Sequence, residues 1–220
     1  HVAYKYHFWK KQKKTTVSGD GLPIMTKLHA HKFKRVFPTM AGIIGVIAVT
    51  MVTLLCNFDR AQTWLPIFGF LGGAIVGLID DGINVFGSGE GAAGLRAPIK
   101  FAMIIVVSLV LGWFFAYKLG WTSIHIPFAG DIEIGGVVMV GLFAFAVVAT
   151  SNAVNISDGL DGLAGGLAMM AYGAFGTIAL FRGQVYLFAF CMTVVGWLFS
   201  YVWFNVPPAR FMMGDVGSFA

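Results

Sequence analysis

The chain has 220 residues, of which 58% are hydrophobic and only 11% charged, and its mean hydropathy is +0.80. This composition excludes an ordinary soluble domain, because six apolar runs each approach the ~20 residues that a helix needs to cross a bilayer. We predict an all-α fold, a polytopic membrane bundle whose backbone groups are satisfied within each helix. The predicted spans are residues 38–57, 63–79, 98–118, 134–153, 163–181 and 184–204.

The first 37 residues form a basic segment with nine of the 15 Lys and Arg residues. The positive-inside rule places this segment in the cytoplasm, and it has the composition of an anchor rather than of a signal peptide. Counting spans by parity then puts 12 of the 15 basic residues on that side, which supports six spans. His29 and His31 could be metal ligands, although a plain polar role is favoured. The domain boundaries are predicted as 1–37, a transmembrane domain over 38–204, and a cytoplasmic loop over 205–220.

The second apolar run carries Gly69, Gly73 and Gly77, a stripe that lets membrane helices pack closely. Asp80 and Asp81 follow it, and we predict that they end the helix, where the macrodipole is negative. Two adjacent carboxylates are unfavourable there unless a cation lies opposite. We therefore interpret the pair as functional. Helix packing alone explains the glycines, but it would also draw the two aspartates toward neighbouring helices.

The segment GLRAPIK, residues 94–100, leads into the third run. Arg96 and Lys100 have two interpretations: interface anchors that reach the headgroups, or phosphate-binding cations that face the acidic residues. Between the third and fourth runs, residues 123–134 alternate apolar and polar side chains, which predicts a short external hairpin with a structural role. Cys56 and Cys191 lie within apolar runs and are interpreted as small buried hydrophobic residues.

Residues 151–166, SNAVNISDGLDGLAGG, place Asn155, Asp158 and Asp161 between two apolar runs. As a helix, their spacing puts them on roughly one face. As a turn, Asn and Asp-Gly are explained by their tolerance of tight backbone geometry. By parity, this segment lies on the same side of the membrane as Asp80 and Asp81 and as residues 205–220. Three acidic junctions at one membrane face therefore predict a site.

The last segment, residues 205–220, carries Asn205, Arg210 and Asp215. Gly214 and Gly217 flank Asp215 and would let the backbone approach a ligand, although a plain loop is the alternative. Carboxylates with Asn and a cation suit Mg²⁺, which takes oxygen ligands and shares them with substrate phosphates. No Cys or His set at zinc spacing competes with it. The chemistry this predicts is Mg²⁺-assisted phosphoryl transfer between a water-soluble substrate and a lipid.

Five motifs occur in one order along the chain. They are PTMAG from Pro38, GLIDD from Gly77, GLRAPIK from Gly94, NAVNISDGLDGLAGG from Asn152 and FNVPPARFMMGDVGS from Phe204. From about Ser18 to the end, the chain thereby resembles the polyprenyl-phosphate N-acetylhexosamine-1-phosphate transferases. IHIPF at residues 124–128, PTM and GLxAxxK favour the phospho-N-acetylmuramoyl-pentapeptide-transferase branch (translocase I) over relatives that use N-acetylglucosamine-1-phosphate.

The resemblance implies an enzyme that transfers phospho-MurNAc-pentapeptide from UDP-MurNAc-pentapeptide to undecaprenyl phosphate. The products would be lipid I and UMP, Mg²⁺ would be the cofactor, and the bacterial inner membrane would be the location, with the site on its cytoplasmic face. No nucleic-acid partner is implied. The oligomeric state stays open between a monomer and a homodimer.

The resemblance also implies roles for individual residues. Asp215 and Asp81 would bind Mg²⁺, and Lys100 would hold the diphosphate. Asp80 would deprotonate the lipid phosphate or, in an older scheme, an aspartate of the pair would act as nucleophile. The implied substrate pocket comprises Lys34 (or the neighbouring Arg35), Asn155, Asp158, Asp161, Asn205, Phe211 and Met212.

The chain departs from the family pattern at several positions. Val36-Phe37 replaces Gly-Thr before the first motif, Ala41 lies inside it, and Met212 replaces a Phe that stacks on uracil, for which Phe211 could substitute. We expect a longer chain with a histidine-rich motif beyond Ala220, and weak or no activity without it. The alternatives are an N-acetylglucosamine-1-phosphate transferase, an inactive membrane scaffold and a cation transporter, whose acidic residues would lie near midspan.

Overall fold

The computed structural model describes residues 39–86, 95–128 and 130–220, without the side chain of Arg60. The chain is mostly helical, with one short hairpin. Its elements are α1 (Gly42–Cys56), α2 (Arg60–Phe86), α3 (Ala97–Trp113, continued by a π-helical turn over Phe114–Lys118), β1 (Ser123–Ile126), β2 (Gly130–Glu133), α4 (Gly136–Ser157), α5 (Leu163–Phe181), α6 (Val185–Asn205) and α7 (Gly214–Phe219).

Within the described residues, five helices are long and apolar enough to cross a membrane. They correspond to the second to sixth predicted spans, so the prediction of a polytopic helical membrane protein is confirmed. The first predicted span is shorter than expected: α1 has 15 residues, a rise of about 22 Å against a hydrocarbon core of about 30 Å.

The late start of α1 has a physical cause. The backbone N–H groups of Ala41 and Gly42 donate to the carbonyl oxygens of Met212 and Met213, at 3.2 and 2.9 Å. Met40, just before them, has a positive φ of 68°. The prediction that the helix includes residue 39 onward is therefore wrong, because these residues pair with the segment before α7.

The predicted end of the second span is also wrong. Helix α2 does not end before Asp80 but continues to Phe86, so the two aspartates lie inside the helix. The macrodipole acts within the last turn, so it does not explain why a cation is needed near Asp80 and Asp81. The residues that follow, from Gly82 to Phe86, contain one glycine and no proline, which lets the helix continue.

The helices form two antiparallel pairs, α3 with α4 and α5 with α6, and α2 and α1 lie beside them. The short helix α7 packs against α1, α2 and α4. The largest buried cluster joins α1, α2 and α6 to the segment around α7 through Val49, Phe70, Val194 and Met213.

The predicted hairpin is confirmed. Strands β1 and β2 are antiparallel, with Ile124 opposite Ile132 and His125 opposite Asp131. His125 Nδ1 lies 2.8 Å from Asp131 Oδ1, and both side chains are exposed. Of the two cysteines, both free, Cys191 is buried as predicted, but Cys56 is exposed, because it is the last residue of α1 and faces outward.

Candidate active site

The glycine stripe of α2 positions α7. A Cβ atom added at Gly73 would lie 1.9 Å from the carbonyl oxygen of Phe219, and one at Gly77 would lie 2.1 Å from that of Asp215. The backbone of α7 therefore lies directly on α2, at a distance that only glycine permits. One added at Gly69 would make an ordinary 3.5 Å contact with Leu111, so this glycine is not required for the approach. The predicted consequence of close packing is confirmed at Gly73 and Gly77.

This packing brings three carboxylates together. Asp80, Asp81 and Asp215 can each present an oxygen such that the three atoms lie within 4.8 Å of one another. Their exposed fractions are 2%, 1% and 6%. Charges of one sign this close, and out of water, repel each other strongly. The cluster therefore needs positive charge to be stable in its ionised form.

Lys100, from the first turns of α3, supplies one positive charge. Its Nζ lies 2.9 Å from Asp80 Oδ2 and also forms an ion pair with Asp215 Oδ2. The same ammonium lies 5.2 Å from the ring centroid of Phe219, a cation–π distance. Lys100 therefore faces the acidic residues, as the second interpretation requires, whereas Arg96 is exposed; phosphate binding by Lys100 stays a prediction.

The donor set of the cluster fits a hard divalent cation. It offers carboxylate oxygens from three residues, and one lysine against three carboxylates leaves two negative charges to be balanced. Mg²⁺ prefers oxygen ligands and tolerates a partial protein shell completed by water and phosphate. Asp80, Asp81 and Asp215 are the residues that could hold it.

Asp81 also fixes the start of α7. Its Oδ2 accepts a hydrogen bond from the N–H of Val216 at 3.1 Å, which places a negative charge at the N-terminus of that helix. Gly214 has a φ of +74°, and a Cβ there would lie 2.5 Å from the same oxygen. Gly214 was predicted to let the backbone approach a ligand, which stays a prediction; the group that the backbone approaches here is the Asp81 carboxylate.

Asn155 joins the cluster from α4. Its Nδ2 donates to Ser218 Oγ at 2.8 Å and lies 3.3 Å from Asp215 Oδ1. Asn155 lies in helix α4, whereas Asp158 and Asp161 lie in the turn that follows its last residue, Ser157. Of the two alternatives for this segment, the helix therefore applies to Asn155 and the turn to the two aspartates. Ser218 was not predicted. Its signal was its position three residues after Asp215, on the same face of a helix.

The turn after α4 is bound to a different set of groups. Asn205 Oδ1 accepts from the N–H of Gly162 at 2.7 Å, and its Nδ2 donates to the Phe211 carbonyl at 2.9 Å. The Tyr201 hydroxyl accepts from the N–H of Met213 at 3.2 Å and hydrogen-bonds with the Asp158 side chain. Within the described residues, neither aspartate of the turn belongs to the carboxylate group.

The remaining residues of the predicted pocket do not share one environment. Phe211 stacks on Phe204 with ring centroids 5.5 Å apart and lies 6.1 Å from the Tyr201 ring. Met212 is half-buried, and its carbonyl accepts from Ala41. Lys34, Arg35, His29 and His31 lie outside the described residues.

Apolar helices that enclose a carboxylate cluster and a lysine define a helical membrane protein with a buried charged site. The chain belongs to glycosyl transferase family 4, whose family model matches residues 63–220. The resemblance drawn from its motifs is therefore confirmed at the level of the family.

Curated relatives carry the name phospho-N-acetylmuramoyl-pentapeptide-transferase. One from Lactobacillus helveticus is 38% identical over 194 residues, 86% of this chain and 59% of the relative. One from Levilactobacillus brevis is 36% identical over 196 residues, 86% of this chain and 60% of the relative. One from Chloroflexus aurantiacus is 36% identical over 199 residues, 87% of this chain and 54% of the relative. The chain thus spans between half and two thirds of the length of these relatives.

Proposed function

We propose that the chain takes part in transferring phospho-MurNAc-pentapeptide from UDP-MurNAc-pentapeptide to undecaprenyl phosphate. Lipid I and UMP are the products, in the inner membrane of a bacterium, with the carboxylate cluster facing the cytoplasm. The observation that carries the proposal is the cluster itself, in which Lys100 contacts Asp80 and Asp215 beside Asp81. The names of the relatives support the identity of the transferred group.

In the proposed reaction, an oxygen of the lipid phosphate bonds to the sugar-side phosphorus of the UDP-sugar. The bond from that phosphorus to the oxygen of UMP breaks, and UMP leaves with the bonding electrons. Asp80 accepts the proton when the attacking phosphate carries one. Asp81 and Asp215 would hold Mg²⁺, which would supply positive charge to neutralise the diphosphate.

Lys100 supports this reaction by its position. It already lies between two carboxylates, and it can exchange one of them for a phosphate oxygen without crossing the site. Asn155, itself held by Ser218, donates to Asp215 Oδ1, so the carboxylate is oriented before a ligand arrives. These contacts place positive charge and fixed dipoles where charge moves during transfer.

A cation transporter is disfavoured by the placement of these groups. Asp80 and Asp81 lie in the last third of the span Ala61–Phe86, and Lys100 is in the first turn of the span that begins at Ala97. Charged side chains at span ends suit chemistry at a membrane surface, whereas transport sites lie near the midplane.

The test uses the full-length protein, purified in detergent, with Mg²⁺, undecaprenyl phosphate and either UDP-MurNAc-pentapeptide or UDP-GlcNAc. We expect UMP release and lipid-linked product from the first nucleotide sugar only, and loss of both in Asp80→Asn. Asp131→Asn, in the exposed hairpin, is the matched control and keeps the wild-type rate. If product formed only from UDP-GlcNAc, the proposed donor, UDP-MurNAc-pentapeptide, would be wrong. Cation flux in liposomes that is indifferent to nucleotide sugar would support transport instead.

A further inference from the structure

Asn84 is a buried amide for which the described residues supply no hydrogen-bond partner. Its exposed fraction is 1%, and within the described part of the chain neither its Nδ2 nor its Oδ1 is hydrogen-bonded. Among the buried side-chain amides of the described residues, it is the one with both polar atoms unused. Burying such a group without partners costs free energy, so native proteins pair nearly all of them, and an exception calls for an explanation.

The position of Asn84 on α2 relates it to the carboxylate cluster. It follows Asp80 by four residues and Asp81 by three, within one continuous helix. Residues at these spacings share a face, one turn apart, at about 5–6 Å along the axis. Asn84 lies one turn closer than Asp80 to Phe86, the last residue of α2. The chain comes back to the cluster at Leu95, whose N–H donates to Asp80 Oδ1 at 2.6 Å.

A phosphate bound at the cluster would find few free hydrogen-bond donors among the groups already described. The three carboxylates only accept hydrogen bonds, and the ammonium of Lys100 is shared between two of them. Asn155 already donates to Ser218. An amide one turn away, buried and unused, offers a neutral donor that a phosphate oxygen can take without displacing an existing bond.

We propose that Asn84 is a substrate-binding residue whose Nδ2 donates to a phosphate oxygen of the ligand held at the cluster. The inference deepens the proposed function and rests on it. Either the diphosphate of the nucleotide sugar or the phosphate of the lipid has the required chemistry. The amide is left unpaired in the ligand-free protein because its partner arrives with the substrate.

The test separates ligand binding from stability. Asn84→Leu keeps the branching of the side chain at Cγ but removes both polar atoms. We expect a higher melting temperature for the ligand-free variant than for the wild type, because an unpaired buried amide is removed. With Mg²⁺ present, the Kd for UDP-MurNAc-pentapeptide or for undecaprenyl phosphate should rise about tenfold, a typical loss for one hydrogen bond to a charged group.

The control is Asn152→Leu in α4, where the amide Nδ2 already donates to the Val148 carbonyl at 2.8 Å. This variant should leave both Kd values unchanged. Weaker binding of only the nucleotide sugar by Asn84→Leu assigns Asn84 to the diphosphate, and weaker binding of only the lipid assigns it to the lipid phosphate. Unchanged Kd values for both ligands, or a lower melting temperature without ligand, would overturn the inference. Absence of binding by the wild type would instead refute the proposed function.

Discussion

The described residues contain two groups of aspartates whose surroundings differ. Asp80, Asp81 and Asp215 are almost fully buried and face one another and Lys100. Asp158 and Asp161 are half-buried in a turn whose Gly162 N–H donates to Asn205 and whose Asp158 side chain hydrogen-bonds with Tyr201. The first group concentrates charge that needs a ligand, whereas the second is tied to neighbouring backbone and hydroxyl groups. Acidic residues at one membrane face are therefore not interchangeable members of one site.

The largest effect should come from removing a carboxylate of the buried cluster. Asp215→Asn keeps the shape of the side chain but removes one of the three charged oxygen donors. We expect transfer to fall by about 10²–10³-fold, the usual cost of losing one group that stabilises developing charge. The rate of UMP release measures it. A matching change in the turn, Asp161→Asn, should cost far less, and equal losses would erase the distinction between the two groups.

Lys100→Met tests, through the stability of the protein, whether the buried carboxylate cluster depends on positive charge. The variant leaves three buried carboxylates without their ammonium, and breaking such a pair costs about 3 kcal/mol in the ligand-free protein. Mg²⁺ should stabilise this variant more than the wild type, because it can replace the missing charge. Denaturant unfolding with and without Mg²⁺ measures both effects. An equal Mg²⁺ effect on the two proteins would mean that the cation does not bind at the cluster.

Gly77→Ala tests how the cluster is assembled. The added Cβ would lie 2.1 Å from the backbone oxygen of Asp215, and a backbone atom cannot move aside at little cost. We expect a loss of about 2 kcal/mol in unfolding free energy and weaker binding of Mg²⁺. Gly69→Ala is the control, because its Cβ makes an ordinary 3.5 Å contact and a helical alanine is favoured over glycine. Similar stabilities for the two variants would refute the packing account.

The sequence was sufficient to predict the helices and part of the cluster. Apolar runs predicted the spans, and parity placed Asp80, Asp81 and Asp215 on one side. The sequence could not predict that α2 continues to Phe86, because helix propensities over a few residues are too weak to place the end of a helix.

Contacts between distant segments were also beyond the sequence. The backbone pairing of Ala41 and Gly42 with Met212 and Met213 leaves no periodic pattern, yet it shortens α1. The partner of Asp81, the N–H of Val216, is a backbone group that any residue type would supply. Side-chain chemistry was therefore easier to anticipate than the backbone contacts that position it.

The smallest effect concerns the second group of aspartates. Asn205→Ala removes two hydrogen bonds, to Gly162 and to the Phe211 carbonyl, and should lower the unfolding free energy by about 1–2 kcal/mol. Because both ends of the amide are already bonded to backbone, its effect on a nucleotide sugar must act through the position of the turn. We expect the Kd for UDP-MurNAc-pentapeptide to rise less than tenfold, with no change in the Mg²⁺ affinity. A loss of ligand affinity as large as that of Asp215→Asn, at unchanged stability, would make Asn205 a direct ligand contact and join the two groups into one site.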